Sequence, residues 1–105
     1  MPTFMVISRH APENCWMFNE KTRQIHANLV NNLDSILDKY QVKLMGCWFD
    51  IPGHTLYEVY DAPDLDSFRR MSMDPVIVAW SSFNTLQILN VTPGEDIIRM
   101  FKSSA

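Results

Sequence analysis

Residues 42–61 read VKLMGCWFDIPGHTLYEVYD. Trp, Tyr, Phe, Val, Leu and Ile fill both halves, as strands prefer, and Pro52-Gly53-His54 interrupts them as a tight turn. The stretch predicts two strands, Val42 to Ile51 and Thr55 to Asp61, folded into a hairpin. Simple alternation places Val42, Leu44, Gly46, Trp48 and Asp50 on one face of the first strand, and Met45, Cys47, Phe49 and Ile51 on the other. Gly46 marks a bulge or a close approach. In the second strand Glu58 stands among Tyr57, Val59 and Tyr60. A buried carboxylate needs a partner, and Arg9 on a neighbouring strand is the expected one, in an interface ion pair.

Working outward, Thr3 to Arg9 is a short apolar strand that His10-Ala11-Pro12 breaks. From about Glu13 to Tyr40 the spacing turns helical. Ile25, Leu29, Leu33, Ile36, Leu37 and Tyr40 recur at three- and four-residue steps, and the same arc extends back through His26, Thr22, Phe18 and Cys15. A later helix start near Asn19, with a loop before it, is the alternative. After the hairpin, Asp64 caps a helix over 65–73 whose inward residues are expected to be Leu65, Phe68 and Ser72. Asp74-Pro75 starts a second short helix carrying Val76, Ile77, Trp80 and Phe83. Asn84 to Val91 forms the last strand, and Glu95 to Phe101 a terminal amphipathic helix. Lys102 to Ala105 reads as a frayed tail.

The order predicts an α+β, ferredoxin-like β-α-β-β-α-β fold. Its four-stranded antiparallel sheet carries helices on one face, with an extra short helix before strand four and a C-terminal helix. One domain spans 1–105. The other sheet face is too apolar for solvent, so a homodimer through that open face is expected.

Composition narrows the function classes. The apolar fraction is 47%, the charged fraction 20% and the net charge −3. No basic stripe suggests nucleic acid, and no apolar run approaches a membrane span. The N-terminus, MPTFMVISRH, lacks a signal-peptide pattern, and a cytoplasmic protein is the default expectation. Two cysteines are too few for a disulfide framework.

The topology gathers polar groups at one rim of the sheet: His10, Asp50 and His54, with Asn19, Thr22 and His26 from the helix and Trp48 one step below. A pocket there would have aromatic walls and a few polar groups. The candidate ligand-binding residues are Phe18, Thr22, Trp48, Asp50, His54 and Trp80. His26 and His10 are the candidate acid/base residues, because histidine titrates near neutral pH. No two of the histidines and Asp50 show tight ligand spacing, so no metal is expected. Cys15 and His26 lie on one arc but about three turns apart, too far to touch along one helix. With three glycines and no phosphate loop, no cofactor is expected.

Val42-Lys43-Leu44-Met45-Gly46-Cys47-Trp48, Tyr57-Glu58-Val59 before Asp61-Ala62-Pro63, and Trp80-Ser81 before a strand closing on Val91-Thr92-Pro93 carry a resemblance. The block from Gln41 to Glu95 resembles the dimeric α/β-barrel superfamily, and within it a small bacterial and archaeal domain family of unknown function. Where such relatives often place a histidine after the tryptophan, this chain has Phe49. The resemblance implies a ligand cavity between sheet and helices without choosing a chemistry. Two functions fit. One is a homodimer that binds a small apolar molecule or a partner. The other is a cofactor-independent enzyme, monooxygenase- or isomerase-like, with a histidine acid/base.

Overall fold

The computed structural model describes residues 1–103. Strands β1 (Thr3–Arg9), β2 (Lys43–Asp50), β3 (Thr55–Asp61) and β4 (Thr85–Val91) form one sheet in the order β2-β3-β1-β4, with every neighbouring pair antiparallel. Helix α1 (Glu20–Tyr40) crosses from β1 to β2. Helices α2 (Leu65–Ser72) and α3 (Pro75–Ser81) cross from β3 to β4, and α4 (Gly94–Ser103) follows. This is the ferredoxin-like α+β architecture. None of the described helices is long and apolar enough to cross a membrane.

Local chemistry sets the helix ends. The Asn19 side chain accepts from the Thr22 N–H, so α1 begins at Glu20 rather than at Glu13. Residues 13–19 are instead a 3-10 turn (Pro12–Asn14) and a loop. Arg23 ties that loop down by donating to the carbonyls of Trp16 and Met17. Asp64 and Asp74 cap α2 and α3. The inward face of α2 is Ser67, Phe68 and Met71, whereas Leu65 is exposed. The difference from Leu65 and Ser72 is a one-position rotation of the stripe. Lys102 and Ser103 belong to α4, so the expected frayed tail is helical there; Ser104 and Ala105 lie outside the described residues.

The core forms where α1 and α2 cover β1 and β3. Phe4, Val6, Ile36, Val42, Tyr60, Ala62, Phe68 and Met71 make one buried cluster. The Phe4 and Phe68 rings stack at 4.4 Å. Truncating either ring to alanine costs about 3–5 kcal/mol.

β2 departs from simple alternation. Its register against β3 shifts between Leu44 and Gly46, a β-bulge. Leu44 pairs with Tyr60, Cys47 with Glu58 and Phe49 with Leu56, all on the helix-covered face; Trp48 pairs with Tyr57 on the open face. Leu44 and Trp48 therefore do not share a face. A Cβ at Gly46 would overlap the Trp48 ring lying over it, so a side chain there would push the exposed indole aside. The open face also presents Met5, Ile7, Val59 and Leu89, with Arg9 and Gln87 among them.

Candidate functional site

The helix-covered face of the sheet is not filled. A cavity of about 510 Å³ lies between it and α1, α2 and α3, within the range of small-molecule pockets. Its walls are almost wholly apolar: Leu29 and Leu33 of α1, Met71 of α2, Ile77 of α3, and Phe49 and Ile88 of the sheet. Four chemically active side chains also reach it: Glu58, Tyr60, His26 and Cys47.

Glu58 sits on central strand β3, opposite Val6 of β1 and Cys47 of β2. Its Oε2 accepts a 2.5 Å hydrogen bond from the Tyr60 hydroxyl. The expected pairing with Arg9 does not form, because Arg9 pairs with Thr55 and shares the open face. Parity along a strand forbids the contact. Burial pushes the Glu58 carboxyl above its ordinary range, and the Tyr60 bond only partly opposes this. Burial, and then the charge of Glu58, push the Tyr60 phenol up, so it stays a donor. The Cys47 thiol is also raised, by burial first and Glu58 second.

His26 is placed by two aromatic partners. Its Nδ1 accepts from the Trp80 indole N–H at 3.1 Å, and its ring stacks on Trp16 at 4.5 Å and 2°. An accepting Nδ1 puts the proton of the neutral ring on Nε2. Burial, and secondarily the neighbouring His10, hold the imidazole below its ordinary value.

A second, much smaller cavity of about 20 Å³ lies at the rim. His10, Asp50 and His54 meet there, with Trp80 as a shared wall. The His10 and His54 rings stand edge to face at 5.3 Å, and the His10 backbone N–H donates to the His54 carbonyl. Burial first and His54 second lower the His10 imidazole, with an Asn84 hydrogen bond opposing. Asp50 Oδ1 accepts from the Gly53 N–H, and a Cβ on Gly53 would strike that carboxylate. His54 takes the left-handed conformation that the turn needs, with φ 51°.

The expected rim of His10, Asp50 and His54 is thus one place, and His26 lies beyond Trp16. His10 does not line the large cavity, so the two candidate acid/base histidines do not share a chamber. Three other candidates stand apart. Trp48 is 60% exposed on the open face, turned there by the bulge. Phe18 is 80% exposed, because the loop before α1 is not helical and points it outward. Thr22 is buried, but it serves the cap of α1 with Asn19. Sequence reasoning missed Tyr60 and Trp16 as site residues and cast Glu58 as an interface group. The spacing Glu58-x-Tyr60 was the available signal, since alternate strand residues share a face.

No family model and no curated protein matches the chain. Among solved structures the chain is similar to an uncharacterized NIPSNAP domain protein from Burkholderia xenovorans. The identity is 16%, the match covers 89% of this chain and 96% of that one, and the TM-score is 0.49. The fold assignment stands on the strand order and helix placement described above.

Proposed function

We propose that the chain binds a small, flat, mostly apolar molecule carrying one hydrogen-bonding group, in the 510 Å³ cavity, as a homodimer. The observation that carries this reading is an apolar chamber with a Glu58–Tyr60 pair in its sheet wall. Apolar walls supply affinity, and a few fixed polar groups orient the ligand. A phenol-like hydroxyl suits a buried carboxyl that already accepts from one phenol. The dimer rests on the open face, where Trp48 and Leu89 are exposed beside Met5, Ile7 and Val59. Ile97 and Ile98 of α4 are also exposed.

The test is binding of 2-naphthol and naphthalene, followed by NMR and calorimetry. Naphthol should shift the Glu58, Tyr60 and His26 signals. Glu58→Gln should weaken naphthol about tenfold, the scale of one hydrogen bond to a charged group, and leave naphthalene unchanged. Leu29→Trp combined with Ile77→Trp, which crowds the chamber from two walls, should weaken both. Binding of both probes that is unchanged in that double variant would place the ligand elsewhere and sink the proposal.

One observation favours a catalytic version. Glu58 with a raised pKa and His26 with its proton on Nε2 line one cavity. A carboxyl tuned upward suits a general base, and a neutral imidazole N–H suits a donor to a developing oxyanion. In that version Glu58, not His10, partners His26. Turnover of a hydroxylated aromatic that is lost in Glu58→Gln but retained in His10→Gln would support it.

A further inference from the structure

We propose that His10, Cys15 and His54 form a binding site for a zinc-class divalent ion. One ligand atom from each lies within 4.8 Å of the others. The three come from separate segments: the end of β1, the loop before α1 and the β2–β3 turn. His10 Nε2 and His54 Nδ1 are buried and have no hydrogen-bond partner among the described residues. Buried polar nitrogens are normally paired, and two of them converging beside a buried thiol is a ligand set. The cavity they line, about 20 Å³, has room for a single ion or water.

The donor chemistry selects the occupant. Two imidazoles and a thiolate favour zinc and its neighbours over magnesium or calcium, which want oxygen. Donors around tetrahedral zinc stand about 3.5 Å apart. The cluster must therefore close by at most about 1.3 Å, within reach of side-chain rotation at a loop and a turn. Three protein ligands leave a fourth position for water. Asp50 also lines the cavity, but its Oδ1 is engaged by Gly53. Coordination deprotonates the thiol, with the proton going to solvent. This site is separate from the large cavity, behind Phe49, Leu56 and Trp80, which line both. The sequence hid it because a continuous helix from Glu13 would carry Cys15 away from His10.

The experiment uses the full chain stripped with a chelator, then titrated with Zn²⁺ by calorimetry and with Co²⁺ by absorption. One ion per chain is expected, with release of about one proton, a higher melting temperature and a thiolate-to-cobalt charge-transfer band. Cys15→Ser should lose the band, and Cys47→Ser should keep it. His54→Gly should lose affinity by about tenfold or more, given that even outer-shell partners are worth that much. Glycine suits the left-handed backbone at this position, so this variant keeps its fold even if Cys15→Ser does not. No stoichiometric uptake, a band that persists in Cys15→Ser, or unchanged affinity in His54→Gly would each overturn the site and leave the cavity to water.

Discussion

Tyr60→Phe isolates the Glu58–Tyr60 pair at the cost of one oxygen atom. The ring keeps its place against Phe68, 5.8 Å away, so the apolar packing is retained. What is lost is the single hydrogen bond to Glu58 Oε2. The magnitude depends on the charge of Glu58. Its folded pKa is raised above the ordinary 4.5. Stability tied to this group is therefore full below about pH 4.5 and is lost as pH rises through the folded value. Removing the phenol removes the one interaction that lowers that value, so the loss extends to higher pH. Below about pH 4.5 the carboxyl is neutral in both proteins, and the variant loses one neutral hydrogen bond, about 1 kcal/mol. Above the raised folded value it carries a poorly partnered buried carboxylate, about 3 kcal/mol. At about 5 °C per kcal/mol for a domain this size, the melting temperature should fall by about 5 °C on the acid side and about 15 °C on the alkaline side of that titration. In a Glu58→Gln background the same change should cost less at high pH, a coupling that a double-mutant cycle reads directly. Equal losses on both sides of the titration, or additivity in the cycle, would refute the reasoning.

Asp74→Ala removes the cap on Val76 and the acceptor of the Tyr40 hydroxyl together. Denaturant titration should show a loss of about 2–3 kcal/mol, and a loss below about 1 kcal/mol would mean the Tyr40 contact carries nothing. Burial lowers the His26 pKa from its ordinary 6.5, so its contribution to stability is full above about pH 6.5 and is lost as pH falls through the lower folded value. His26→Phe should flatten the melting-temperature profile between about pH 7 and about pH 5; an unaltered slope would show that His10 or another group sets it. Trp48→Glu puts a charge on the open face, on edge strand β2, without disturbing the core, and sedimentation should report dimer for the parent and monomer for the variant.

The fold was legible because three local signals agreed. The alternating apolar runs of β1 and β3 gave their limits to the residue, and Asp64 and Asp74 announced α2 and α3 before any tertiary contact was known. The rim was legible too, since strand order alone brings His10, Asp50 and His54 together. Two things were not. The helical arc through Cys15, Phe18 and Thr22 is real as a pattern, yet the Asn19 cap starts the helix only after that arc has begun. Composition cannot choose between a cap and a continued helix when both use polar residues. Nor does alternation survive an extra residue, so the faces of Trp48 and Leu44 could not both be read correctly from the hairpin.

That extra residue gives the chain a parity switch. The bulge spans Leu44, Met45 and Gly46, and every side chain from Cys47 to Asp50 owes its facing to the one-residue offset. Pairing Met45 with Val59 in a bulge-free strand would exchange the two faces of the strand's second half, turning Trp48 inward and Cys47 and Phe49 outward. Deleting Met45 would instead remove the bulge and keep each later pairing, with Gly46 still opposite Val59 and Trp48 still opposite Tyr57. The bulge, not the order of apolar residues, therefore decides that the indole of Trp48 faces away from the chamber.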